Sequence, residues 1–228
     1  MLSNPPLSPT FFAVPDAARY ALRNVRMPTC LTELSVLTGE KDQADLSDVD
    51  LLIDSGRIAG VQPAGALPAE LGPDLDHSMV LPGMIDCHTH LDKGHISPRK
   101  PNATGDFPGA SKATGEDRVA NWHAEDVRRR MEFGLMTAYA KGVVAIRTHL
   151  DSLEPQAAIS FPVFKEMRAQ WAGRIDLQAS SIAPIDIFLT DEGCRLADIV
   201  ADAGGNLGCV TRFRSLPNTL VSRSLTSP

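Results

Sequence analysis

The sequence predicts an α/β protein whose larger part is a parallel sheet with crossover helices, preceded by a smaller all-β segment. Three observations predict it. The apolar runs MVLPGMIDCH, VVAIRTHLD and IDLQASSIAP have the length and composition of buried strands. They alternate with segments of helical period, the pattern of β/α units. Upstream of residue 79 the texture differs: short β segments are broken by turn residues, without a helical period.

Residues 1–20, rich in Pro, Ser and Ala, are expected to be a flexible lead-in. Residues 21–78 form the small all-β domain. Within it VDLLIDSGRIAGV reads as strand, Asp-Ser-Gly turn and strand, with Gly56 supplying a positive φ. Residues 62–78 are turn-rich and read as a surface connection. Residues 79–210 hold about three and a half β/α units. After the first strand, residues 92–121 are expected to be a long polar loop. A helix follows over residues 123–141, with Val127, Met131, Leu135 and Ala138 on one face. VVAIRTHLD is the second strand. The next helix is expected near residues 161–171, with Pro162 tolerated in its first turn and Gly173 as its stop. IDLQASSIAP is the third strand. Thr190 caps a helix running to about residue 202, with Asp191 and Glu192 where the dipole favours them. GNLGCV is a fourth, short strand. Trp122 and Trp171 read as helix-packing aromatics. Arg99, Lys100, Lys112 and the arginines at 128–130 read as solvated faces.

Composition bounds the function classes. With 22 basic against 28 acidic side chains the net charge is −6, which excludes a basic nucleic-acid arm and so a nucleic-acid partner. No apolar run approaches the ~20 residues of a membrane span, so no membrane partner is expected. The N-terminus lacks the basic and apolar regions of a signal peptide. Cys30, Cys87, Cys194 and Cys209 are scattered, and read as reduced, mostly buried thiols of a cytoplasmic protein.

The chemistry concentrates in VLPGMIDCHTHLDKGH. His88 and His90 stand one residue apart at the end of an apolar strand. Alternate residues of a strand share a face, so the two imidazoles are expected to point the same way. Two neutral imidazoles so placed can share one divalent transition metal, at Zn–N distances of ~2.0–2.1 Å. Two polar loop histidines would show the same spacing. The sequence contains no Gly-rich phosphate loop, GxSxG elbow or HExxH.

This segment resembles the N-terminal signature of the amidohydrolase superfamily, a Pro-Gly-hydrophobic-Asp-x-His-x-His strand. HTHLDK, VVAIRTHLDS and RIDLQASSIAP resemble, in order and spacing, the first three barrel strands of its cytosine deaminase-like branch. DLLIDSGRIAGVQPAG is similar to that family's small β-sandwich, and the match covers about residues 21–210. The resemblance implies a partial (β/α)8 TIM barrel, about four units of eight, beside a small β-sandwich. It implies a metal-dependent aminohydrolase acting on a small-molecule nitrogen heterocycle, with His88 and His90 as ligands of one divalent transition metal, Zn or Fe. The family's other ligands, a histidine on each of strands five and six and an aspartate on strand eight, and its acid/base glutamate have no counterpart here. No catalytic residue is therefore assigned. GNLGCV has no lysine to bridge a second metal, which favours one metal. Ile185 stands where cytosine deaminases carry a substrate glutamine, which leaves room for another cyclic amine or amide.

Lys93 and His95 lie just beyond the histidine pair, in a loop expected to overhang the metal. Lys93 is a candidate substrate contact or a solvated loop lysine. His149 shares a strand face with Arg147; it faces substrate, or is satisfied by a loop carbonyl or by Asp151. A whole barrel needs ~250 residues, more than residues 79–228 supply. Residues 211–228 have no acidic residue and no period, as an out-of-frame tail or a natural C-terminus would. This chain by itself is therefore expected to show little activity. The rival readings are a cyclic-amide or N-substituted triazine hydrolase on the same fold, a non-catalytic interaction module, and a fragment completed by a second chain. A homo-oligomer through an open sheet edge is also compatible.

Overall fold

The computed structural model describes residues 14–32 and 45–211. Most of the predicted lead-in and residues 212–228 of the atypical tail lie outside the described residues. The chain divides into two compact units, Met1–Pro82 and Gly83–Pro228.

In the first unit, β1 (Arg19–Pro28), β2 (Leu46–Asp54) and β3 (Arg57–Pro63) form one antiparallel sheet in sequence order. Ser55 and Gly56 have φ of 51° and 74°. Two successive left-handed residues give the two-residue turn that matches strand twist, as the Asp-Ser-Gly signal predicts. Val49, Leu51 and Ile53 alternate inward and pack with Val25, Met27 and Leu75. The segment at 62–78 is more than a surface connection. Asp50 is fully buried, and its carboxylate accepts the Asn24 N–H at 2.8 Å and the Leu67 N–H at 2.9 Å. Arg23 and Arg26 then bridge to Asp74 and Met79 in parallel. The anchor is a buried acceptor, which no hydrophobic pattern displays.

In the second unit the elements are β4 (Met84–Thr89), α1 (Phe107–Asn121), α2 (Ala124–Ala140), β5 (Val143–Asp151), α3 (Gln156–Gln170), β6 (Asp176–Ile182) and α4 (Asp191–Asp202). The three strands lie in the order β4-β5-β6, all parallel. Ile146 and Leu150 of β5 and Leu177 and Ala179 of β6 face a core completed by Val127, Met131, Leu135, Phe161, Phe164, Met167, Leu196 and Val200. The predicted α2 stripe is borne out, with Val127, Met131 and Leu135 fully buried and Ala138 packed at its margin. Trp122 and Trp171 are buried as predicted. Thr190 caps α4 by accepting from the Gly193 N–H.

Several expectations need correction. The supposed polar loop contains α1, capped by Asp106, whose carboxylate accepts the Gly109 N–H at 2.8 Å. Its buried residues are only Ala113 and Asp117, so it carries no apolar stripe to read. α3 starts at Gln156, so Pro162 lies inside the helix rather than in its first turn. Ser160 and Gln156, polar yet buried, conceal that first turn from a hydrophobicity reading. The fourth strand is reduced to two parallel bridges, Ser180 to Asn206 and Pro184 to Val210. Between them the Ser181 hydroxyl inserts, accepting the Gly208 N–H and donating to the Gly208 carbonyl, both at 2.9 Å. A side chain at 208 would collide with Ser181, since a Cβ there falls 2.5 Å from its carbonyl oxygen. All four cysteines are exposed rather than mostly buried: Cys87 lies on the edge strand β4, which is exposed along nearly its whole length. Among the described residues no helix is long and apolar enough to cross a membrane.

Phe164 is fully buried and Phe133 is 55% exposed. Phe164→Ala is expected to cost about 3–5 kcal/mol and Phe133→Ala no more than about 0.5 kcal/mol. Urea unfolding followed by circular dichroism checks both.

Candidate active site

β4 delivers His88 within the strand and His90 one residue beyond its end at Thr89. The pairing of β4 with β5 shifts register between Asp86 and Thr89, so plain alternation does not place the pair. The rings nevertheless meet, with centroids 5.5 Å apart and planes at 81°. Two imidazoles converging on one ion at ~2.1 Å with a tetrahedral angle would lie about 5 Å apart, so this separation fits a shared metal. His149, from the end of β5, joins them: it stacks on His88 at 4.3 Å and lies 5.9 Å from His90.

His90 Nδ1–H donates to the His149 carbonyl oxygen at 2.8 Å. A carbonyl only accepts, so this bond fixes the proton on Nδ1 and leaves Nε2 with the lone pair. A ring oriented through its other nitrogen is how protein imidazoles are prepared as metal ligands. Burial pushes the His90 pKa down, against the opposing pull of the His149 carbonyl. Burial also lowers that of His149, helped by the neighbouring His88. Among the described residues no group of three or more His, Cys, Asp or Glu side chains is arranged to hold a metal ion. His149 stands beside the histidine pair.

The loop after β4 is tied down residue by residue. Leu91 N–H donates to Thr148 Oγ1 at 3.0 Å, and Asp151 N–H to Asp92 Oδ2 at 2.8 Å. Burial, reinforced by the Asp151 carboxylate, raises the Asp92 pKa to about 7. Lys93 Nζ reaches Asp151 Oδ1 at 2.8 Å, while Arg118 of α1 reaches Asp151 Oδ2 at 3.3 Å. Lys93 therefore sits beside the histidines, held by a carboxylate instead of hanging free in solvent. His95, at φ 63°, packs its ring edge-on against Phe133 at 4.7 Å and lines the same cleft as His90. A cleft of about 230 Å³ adjoins His90, lined also by Asp86, Gly94, Arg130 and Thr137. A roomier groove, about 530 Å³, lies between α3 and α4 and has no imidazole on its walls. The former is the relevant one because it borders the His90 ring.

Two arginines expected on solvated faces are structural instead. The Arg99 guanidinium spans the Asp117 and Asp126 carboxylates, with contacts of 2.8–2.9 Å to the former. Arg130 is buried, donates to the Asp92 carbonyl and lies 4.9 Å over the Trp122 ring. The Arg99 partners are distant in sequence, which is why no local charge pattern reveals them, whereas Arg130 also pairs with Asp126 one turn earlier on α2. Sequence reasoning also missed Arg118 and the buried role of Asp92; the trailing Leu-Asp of HTHLD is the only trace of the latter.

No protein-family model matches the sequence. A pterin deaminase from Rhizobium rhizogenes (strain K84) is 46% identical over 210 residues, which is 91% of this chain and 47% of that protein. The chain is therefore similar to a deaminase over nearly all of its own length. The chain spans about half the length of that relative. Two solved structures share the fold over about half of their own lengths. 5-Methylcytosine deaminase from Klebsiella pneumoniae has a TM-score of 0.56 at 18% identity, over 83% of this chain and 50% of that one. N-isopropylammelide isopropylaminohydrolase from Burkholderia multivorans has a TM-score of 0.55 at 23% identity, over 84% of this chain and 45% of that one.

The Arg99 bridge has a measurable pH signature. The Arg99 hydrogen bond holds the Asp126 pKa down against burial; burial raises that of Asp117, but Arg99, Trp122 and Asn121 outweigh it. Both folded values lie below the unfolded value of about 3.9, so their stabilisation is present above that pH and is lost as pH falls through the folded values. Arg99→Ala is expected to cost about 1–3 kcal/mol at pH 7. The gap from the unsubstituted protein should close below about pH 4 in urea titrations run across that range.

Proposed function

We propose that the protein is a metal-dependent aminohydrolase that removes an exocyclic amino group from a nitrogen heterocycle. A bicyclic aminopyrimidine of the pterin type is the first substrate class to test, from the likeness to the Rhizobium pterin deaminase. The observation that carries the reading is the His88–His90 pair at the C-terminal end of β4, with the His90 proton committed to the His149 carbonyl. In a β/α sheet of barrel type that end of the strand is where chemistry is done. We read β4 to β6, with their helices and the bridged segment after α4, as the first units of a (β/α)8 barrel. The antiparallel sheet of the first unit is read as part of the superfamily's β-sandwich.

His88 and His90 would hold one divalent transition metal, and imidazole donors suit Zn and Fe alike. When bound, such a metal makes hydroxide available near neutral pH for attack on the ring carbon that bears the amine. Two substrate-binding roles fall to side chains already in place. Stacked on His88, the His149 ring offers a flat wall to a planar heterocycle. Lys93, with one N–H given to Asp151, has further N–H groups to donate to a ring carbonyl or nitrogen. Asp151 fixes the height of that ammonium, so Lys93 binds and orients substrate without moving a proton.

The test is ammonia release from the purified, metal-loaded protein, offered pterin, guanine, cytosine and an N-alkylamino triazine in turn. Slow but measurable release from an aminopyrimidine, with His90→Ala lowering bound metal and activity together by at least about 10-fold, is the expected result. Amine release from the triazine alone would move the protein to the N-substituted triazine class. Stoichiometric metal binding with no release from any of the four would sink the proposal.

A further inference from the structure

Residues 90, 91 and 92 bond in succession to the end of β5: His90 to the His149 carbonyl, Leu91 to the Thr148 hydroxyl, Asp92 to the Asp151 N–H. Asp92 is the deepest of the three, with no exposed surface. Its Oδ2 also lies 3.4 Å from the Ser160 hydroxyl of α3, which takes a hydrogen bond from Gln156 Nε2 at 3.0 Å. Arg130 secures the Asp92 main chain by donating to its carbonyl. The other carboxyl oxygen, Oδ1, is buried and has no partner among the described residues.

An orphaned buried oxygen is destabilising, and leucine would fill nearly the same volume without one. A purely structural role therefore favours an apolar residue at 92. What leucine cannot do is accept the Asp151 N–H, and that bond fixes the turn that carries His90. Released from it, a neutral imidazole exchanges between its two tautomers. We propose that Asp92 is a positioning residue for His90: by clamping the turn after β4 to the backbone of β5, it keeps the His90 proton on Nδ1 and the Nε2 lone pair available. The inference concerns a ring to which the proposed function assigns metal binding, but its test reads the ring itself. Loss of that function would leave it standing.

The experiment is two-bond 1H–15N correlation on the metal-free protein labelled with 15N-histidine, at a pH where the imidazoles are neutral. His90→Gln identifies the His90 signals by their loss. The unsubstituted protein should show His90 as a single Nδ1–H tautomer. Asp92→Asn, whose amide oxygen can accept the same Asp151 N–H, should retain that pattern. Asp92→Ala and Asp92→Leu should accelerate Nδ1–H exchange about 10-fold, the equivalent of one lost hydrogen bond, and populate the second tautomer. Asp92→Leu leaves no buried void, so it decides the matter even where the alanine variant fails to fold. A folded Asp92→Leu protein with unchanged His90 exchange would show that Asp92 only fills space, overturning the inference.

Discussion

Three hydrogen bonds between the turn after β4 and the last residues of β5 organise the site. Their effect comes from geometry more than from strength, since each contributes only about 0.5–1.5 kcal/mol. Parallel pairing of β4 with β5 is irregular, shifting register between Asp86 and Thr89. Without the stitches from His90, Leu91 and Asp92 the chain would leave the sheet where its two imidazoles must be presented. The stitches fix where Lys93 begins, and with it the reach of its ammonium to Asp151. They also place the Asp92 carbonyl where Arg130 can donate, joining the turn to α2 and through Trp122 to the end of α1.

This arrangement divides the unit into an apolar side and a polar one. Ile146 and Leu150 of β5 face the helices, where Phe161 and Phe164 complete the core. Arg147, His149 and Asp151 occupy the alternate positions, none fully buried. Arg147 donates to Gln178 of β6, so that this face has its own polar ties. The core supplies stability, and the strand period of two hands every second residue to chemistry.

Much of this was legible in the sequence, and what was not shares one cause. Regular hydrophobic repetition announced β5, α2 and the hairpin at Ser55–Gly56, because their burial is periodic and their turn chemistry local. The histidine pair was legible as a motif, together with the expectation that its rings share a side. Hidden elements owe their place to polar groups that are buried. α1 holds Asp117 in place of an apolar stripe, α3 begins on Gln156 and Ser160, and Asp50 anchors a segment that reads as surface. For Arg99 the partners lie on α1 and α2, and charge patterning along the chain sees only neighbours. A buried polar residue is specified by its partner, and the partner is a fact of three dimensions.

The acceptor that orients His90 belongs to the main chain of residue 149. Every amino acid carries that carbonyl, so no substitution at 149 deletes it chemically. The side chain there can change while the backbone carbonyl continues to hold the His90 ring. Variation at position 149 therefore says little about how His90 is held.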